Sequence, residues 1–189
     1  MRKTGEQNRT HVLDTATRLF YSEGIRAVGM DQIVREAGVG NATVYRQFRT
    51  KDELAAAFVQ QCADNWFDRM RAAADRVADP REKLVAIFTV TAEDIAGAGY
   101  RGCPMLNTHT EFPGADHPAH AVAVAHKGDV RDWLRDLARL AGAHDPETLA
   151  DDLLIVLNGA LVTASVLGAC GPAAHATPLA RQLVTAACS

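Results

Sequence analysis

Residues Gly24–Leu54 read GIRAVGMDQIVREAGVGNATVYRQFRTKDEL. The pattern is two short helices around a glycine turn, followed by a third helix with its own start signal. Ile33, Val34 and Ala37 make one short apolar face, and Gly38 breaks it where a positive φ is easily adopted. Asn41–Phe48 starts a second short helix whose Val44 and Phe48, at i and i+4, point inward. Asn41, Thr43, Tyr45, Arg46 and Gln47 are left pointing out. A short helix that buries two apolar residues and presents amide, hydroxyl and guanidinium groups suits the major groove of DNA.

Charge supports this reading. The chain of 189 residues has a net charge of −3, but the charge is divided. Residues 1–51 hold nine basic groups (Arg2, Lys3, Arg9, Arg18, Arg26, Arg35, Arg46, Arg49 and Lys51) against five acidic ones, a balance of +4 that leaves −7 for the rest. A basic head on an acidic body is the footprint of a nucleic-acid module joined to a regulatory one. Arg2, Lys3 and Arg9 are candidates for an arm over the DNA backbone, or for a solvated tail.

The run AGVGNATVYRQFRTKDEL, with HVLDTATRLFYSEGIRAVGMDQI before it, resembles the DNA-binding signature of the TetR family of bacterial repressors. The resemblance covers about the first third of the chain. GCPMLN at Gly102–Asn107 resembles a stretch found in a subset of these regulators. By resemblance Tyr45 and Lys51 hold phosphates and Thr43 sits at the groove. Asn41, Ala42, Arg46 and Gln47 occupy the variable positions of the recognition helix. Arg46 can pair with guanine, and Asn41 or Gln47 with adenine. Gly40 stands where the family often has a capping serine or threonine. The resemblance also implies a homodimer on a palindromic operator, released by a small-molecule effector.

The remaining sequence reads as helix throughout. Nearly half the residues are hydrophobic, aromatics are few and alanine is abundant, which favours helix over strand. Helix 1 is expected over about Asn8–Glu23, with Val12, Ala16, Leu19 and Phe20 inward and Gly24 as C-cap. Thr50 with Glu53 makes a capping box that opens helix 4, which runs to about Val77. Asp79-Pro80-Arg81-Glu82 starts helix 5, which runs to about Ala96. Met105–Phe112 is a short helix, and Pro113–Pro118 a loop. Helix 7 spans about Ala119–Leu140 with Val122, His126, Val130, Trp133 and Leu137 inward. Asp145-Pro146-Glu147 repeats the start signal, and a last helix covers Thr177–Ala187. The expected fold is all-α, about nine helices, with a helix-turn-helix domain over 1–51 and a helical regulatory and dimerisation domain over 52–189.

Leu153–Ala174 lacks any charged residue, which raises the question of a membrane span. Asn158, Thr163, Ser165 and three glycines interrupt it, so it reads instead as a helix buried on two sides. The expected dimer interface is Leu153, Leu157, Ala160, Ala164 and Gly168, and an arginine at Ala160 is expected to split the dimer and spare the fold. The amide of Asn158 must find a partner in a backbone group, a second subunit or a ligand.

Candidate effector-site residues are Trp66, Met70, Phe88, Thr91, Met105, Asn107, His109, Phe112, His126, Trp133 and Asn158, an apolar set with a few polar groups. Plain core packing is the competing explanation for several of them. His109, Glu111, Asp116, His117 and His120 cluster in sequence, without the spacing of a known metal motif. Cys62, Cys103, Cys170 and Cys188 lack paired spacing, so no disulfide framework is expected, and Cys103 is the best thiol-sensor candidate. No cofactor is implied. A hydrolase-like Cys103–His109 pair has nothing else to support it, and an architectural DNA binder would leave over half the chain without a ligand role. The N-terminus (MRKTGEQNRT) has no signal-peptide pattern, so a bacterial cytoplasmic location is expected.

Overall fold

The computed structural model describes residues 4–114 and 116–188. Among these, the chain forms nine α-helices, a single 3-10 turn and no strand: α1 Gly5–Glu23, α2 Met30–Ala37, α3 Asn41–Gln47, α4 Lys51–Asp75, α5 Pro80–Ala96, α6 Pro104–Glu111, α7 Pro118–Leu140, α8 Pro146–Leu167, the 3-10 turn Pro172–His175, and α9 Ala176–Ala187. Arg2 and Lys3 lie outside the described residues.

The start signals act as local chemistry requires. The Asp79 carboxylate accepts from the Arg81 N–H and the Asp145 carboxylate from the Thr148 N–H, each with proline in the first turn. α1 begins three residues earlier than expected. Thr4 caps it, and Gln7 returns a side-chain bond to the Thr4 N–H. At α4 the box is displaced by one residue. Thr50 Oγ1 accepts from the Glu53 N–H, but the Glu53 carboxylate accepts from the Arg49 N–H rather than from Thr50.

Packing divides the chain into two units. One holds the residues up to Ala63 together with Pro104–Ala125, and the other holds Asp64–Cys103 together with the residues from His126 on. The first unit is therefore larger than residues 1–51, because the first turns of α4 and the α6–α7 segment pack with the head. In it α1 touches both α2 and α3, and Val12, Ala16, Leu19 and Phe20 are buried. α4 is strapped to α1 by Phe20 against Phe58, ring centroids 5.6 Å apart. Gln61 reinforces this, bonding Thr17 at 2.6 Å and Asp14 at 3.1 Å.

In the second unit α9 packs on α5 and α8. Two sequence expectations change there. In this unit the buried residues of α7 are His126, Val130, Leu134, Leu137 and Ala138, and Trp133 is half-buried; in the first unit Ala123 is buried and Val122 half-buried. The buried stripe includes a small alanine that a search for large apolar residues passes over.

The second change concerns α8. Leu153, Leu157, Ala160 and Ala164 are buried within their own chain, on a helix that packs with α9, the 3-10 turn and, more lightly, α5. They are not a surface for another subunit, and an arginine at Ala160 would enter the protomer's own core. The outward stripe is Ile155, Gly159, Val162 and Val166, with Ile155 69%, Val162 49% and Val166 74% exposed. Gly168 is exposed and caps α8 with φ 81°. By length and composition α8 is long and apolar enough to cross a membrane. Its packing in this fold uses the same composition as a core element with one apolar face outward.

Candidate nucleic-acid interface

The reading head is built from α1, α2 and α3. Gly38, at φ 62° and ψ 27°, closes α2 in the left-handed region that a Cβ disfavours. α3 then runs only seven residues. Val44 and Phe48 are fully buried and hold it to the bundle, while Asn41, Ala42, Tyr45 and Arg46 are exposed and Thr43 and Gln47 half-buried. Tyr45 is 41% exposed, so it is a surface ring and not a core aromatic. Gly40 caps α3 without a side-chain hydrogen bond.

Arg9 is not a loose arm residue. Its guanidinium donates to the Gln47 carbonyl at 2.6 Å and lies 4.1 Å over the Phe48 ring, which fixes the C-terminal end of α3 on α1. Arg18 pairs with Glu36 at 3.0 Å. Arg35, Arg46 and Arg49 are exposed and form no ion pair among the described residues. They are the cations the head presents to solvent.

Lys51 does two things. Its Nζ donates to the Arg26 carbonyl at 3.2 Å, so it ties the start of α4 to the α1–α2 turn. Burial holds its pKa below the usual lysine range, against the raising influence of the Glu111 and Asp52 carboxylates. An ammonium has three donors, so the bond to Arg26 leaves others for a phosphate.

The same turn is gripped by α6. Glu111 accepts from the Ile25 N–H at 3.1 Å and the Arg26 N–H at 2.7 Å, one carboxylate oxygen for each. A Cβ on Gly24 would come within 3.4 Å of that carboxylate. The Arg26 guanidinium lies 5.1 Å over Phe112. His117 stacks on Phe112 at 3.8 Å, and its Nε2 sits 3.3 Å from Asp52. The histidine and carboxylate cluster read from sequence is therefore a clasp on the head. Among the described residues no three His, Cys, Asp or Glu side chains are grouped to hold a metal. His120 Nδ1 bonds the Phe112 carbonyl at 2.7 Å, and no disulfide joins the four cysteines, of which Cys103 is buried.

The candidate effector residues separate. Met105, Asn107, His109 and Phe112 belong to the first unit; Trp66, Met70, Phe88, Thr91, His126, Trp133 and Asn158 belong to the second. Met70, Phe88 and Thr91 are fully buried or nearly so, and Thr91 bonds the Ile87 carbonyl at 2.8 Å. Asn158 is satisfied by a side chain, accepting from Lys127 Nζ at 2.7 Å. Trp66, Phe67, His126 and Trp133 form one aromatic group with centroids 5.2–6.3 Å apart. Phe67 belongs to it and is not among the residues expected from sequence, because helical periodicity turns only one of two adjacent residues squarely to a given face.

Burial pushes the His126 pKa down to about 4, with the Lys127 ammonium adding to the effect and Asp64 opposing it. The unfolded chain takes up this proton near pH 6.5, and the folded one does not until about pH 4, so acid favours unfolding between these values. Stability is expected to fall by about 2 kcal/mol between pH 7 and pH 5 from this group. Urea unfolding at both values checks it: the fall should shrink in His126→Gln, and an equal fall in the variant would exclude His126 as the cause.

A short helix held by its apolar side to a small bundle, with polar side chains turned outward, defines the head of a helix-turn-helix DNA-binding transcriptional regulator. Comparison with known proteins agrees. The family described as bacterial regulatory proteins, tetR family, matches residues 12–58. A TetR-family transcriptional regulator from Streptomyces coelicolor has a solved structure with TM-score 0.92 and 28% identity, covering 96% of this chain and 90% of that one. A putative TetR transcriptional regulator from Streptomyces avermitilis has TM-score 0.84 and 30% identity, over 95% of this chain and 97% of that one. An HTH-type transcriptional regulator of Staphylococcus aureus (strain USA300) is 36% identical over 64 residues, and the match spans 34% of this chain and only 35% of the relative. The chain belongs to the TetR family of bacterial transcriptional regulators.

Proposed function

We propose that this protein is a cytoplasmic homodimeric repressor that binds a palindromic operator and leaves it when a small molecule occupies the regulatory part. Residues 1–51 read DNA, and residues 52–189 regulate and dimerise. The observation that carries the DNA-reading role is α3: Val44 and Phe48 are buried while Asn41, Ala42, Tyr45 and Arg46 are exposed. Tyr45 and Lys51 hold phosphates, Thr43 sits at the groove edge, and Asn41, Ala42, Arg46 and Gln47 meet the bases.

Dimerisation is supported by the outward stripe of α8. Ile155, Gly159, Val162 and Val166 recur at i, i+4, i+7 and i+11, which is one helix face. Exposed Leu179 of α9 lies beside an open groove of about 200 Å³ bounded by Val156, Gly159, Thr163 and Leu179. An apolar surface of this kind on a regulator with a dyad-related target suits a two-fold contact. The two α3 helices then meet half-sites roughly 34–36 Å apart. The effector role is supported by the half-open aromatic group of Trp66, Phe67 and Trp133 over buried His126.

The test is a base-by-base binding profile on selected DNA. Tyr45→Ala is expected to weaken binding to every sequence roughly uniformly, as loss of a phosphate contact does. Arg46→Ala is expected to cost about 1–3 kcal/mol and relax preference at one base pair per half-site. An unchanged profile and affinity in both variants would remove α3 from the readout.

A further inference from the structure

We infer that the small molecule taken up by the second unit is a flat aromatic compound bearing a phenol-type hydroxyl, seated against Trp66, Phe67 and Trp133 with that hydroxyl bonded to His126 Nδ1. The inference rests on the proposed effector role of the unit and names the chemistry of the ligand.

Three observations carry it. First, His126 is 5% exposed, and its Nδ1 is buried with no hydrogen-bond partner among the described residues. Buried polar atoms are ordinarily paired, and leaving one unpaired is costly. The contrast is His120, which is similarly buried and places Nδ1 2.7 Å from the Phe112 carbonyl. Second, the rings round His126 are half-exposed and all stand edge to face. Trp66 and Phe67 lie 5.4 and 5.2 Å from the imidazole, and Trp133 lies 6.3 and 5.9 Å from those two, with interplanar angles of 67–88°. Edge-to-face contact is a favoured aromatic arrangement, and the half-exposed faces it leaves offer apolar and π surface to a planar guest.

Third, the charges select against a cationic ligand. His126 stays neutral at physiological pH, so its Nδ1 meets a guest as a hydrogen-bonding group and not as a charge. A cation is opposed by the Lys127 ammonium next to His126, and by the Arg71 guanidinium 4.9 Å over Phe67. A hydroxyl can donate to or accept from an imidazole nitrogen, and so fits either tautomer.

The chain has two tryptophans, both in this group, so intrinsic emission reports on the site. Full-length protein is titrated with 1-naphthol and with its near-isostere 1-methylnaphthalene, by calorimetry and by tryptophan emission. 1-Naphthol is expected to bind about tenfold more tightly, although the methyl compound is the more hydrophobic. His126→Leu should erase the preference, and His126→Gln, whose amide can pair with a hydroxyl, should keep part of it. Circular-dichroism melts establish that each variant is folded. The wild-type comparison needs no variant: equal affinity for the two compounds, or binding of neither, overturns the inference. So does a preference that survives His126→Leu. Operator binding is followed separately. Preference for 1-naphthol without loss of operator affinity would keep the site and remove the effector reading. Operator release by compounds whose binding ignores His126 would keep the effector reading and overturn this site.

Discussion

Val162→Arg is expected to give a folded monomer that has lost almost all operator affinity. Val162 lies on the outward face of α8 between Gly159 and Val166 and is 49% exposed, so a long arginine side chain can extend into solvent in the monomer. In the proposed dimer the two-fold axis places the change on both sides of the contact. Two unpaired guanidinium groups then have to be buried in an apolar surface, at a cost of about 3–5 kcal/mol each. The dimer constant should weaken by roughly four powers of ten or more. Each head then binds its half-site without the high local concentration the partner provides, and operator affinity should drop by about 100-fold or more. Light scattering gives the mass, and a binding isotherm gives the affinity. A mass of two chains persisting at micromolar concentration would place the dimer contact elsewhere. Ala160→Arg makes the useful contrast. Ala160 is buried against the chain's own elements, so its expected outcome is loss of cooperative unfolding, not a clean monomer.

That pair of variants shows where the sequence was legible and where it was not. The head could be read because each decision in it is local. Gly38 stops one helix, Val44 and Phe48 face inward at i and i+4, and Thr50 caps the next helix within three residues. Asp-Pro-Glu and its relative mark α5 and α8 equally locally. α8 is different. It is apolar on nearly every side, so periodicity does not say which side is covered. That choice belongs to the elements that pack on α8, chiefly α9 and the 3-10 turn, and it leaves Leu153, Leu157, Ala160 and Ala164 buried. The same holds for Asn158, whose partner Lys127 is 31 positions away on α7. The start of α1 is hidden in the sequence for another reason. The Thr4–Gln7 box sits in a polar segment ahead of the first apolar residue of the stripe, where no hydrophobic rhythm announces a helix.

Glu111 gives the second large expected effect. In sequence it stands among histidines, without the spacing of a known metal motif. In the structure its two oxygens are both used by the Ile25 and Arg26 N–H groups of the α1–α2 turn. Glu111→Ala would leave both N–H groups without that acceptor and remove a carboxylate close to Lys51. Charge-assisted bonds of this kind are worth about 1.5–3 kcal/mol each when buried. One of the two is exposed and the other half-buried, so a total loss of about 2 kcal/mol in unfolding free energy is expected. Glu111→Gln keeps one good acceptor, and should lose about half as much. Operator affinity should fall in the same order, because the turn sets where α2 starts and Lys51, the proposed phosphate contact, is bonded to it. Urea unfolding and operator titration on the same samples check both parts. If Glu111→Ala loses stability while operator affinity stays at the wild-type value, the clasp holds the fold but does not set the head. If the two fall together and Glu111→Gln lies between, α6 positions the reading helix, and whatever moves α6 moves the grip on DNA.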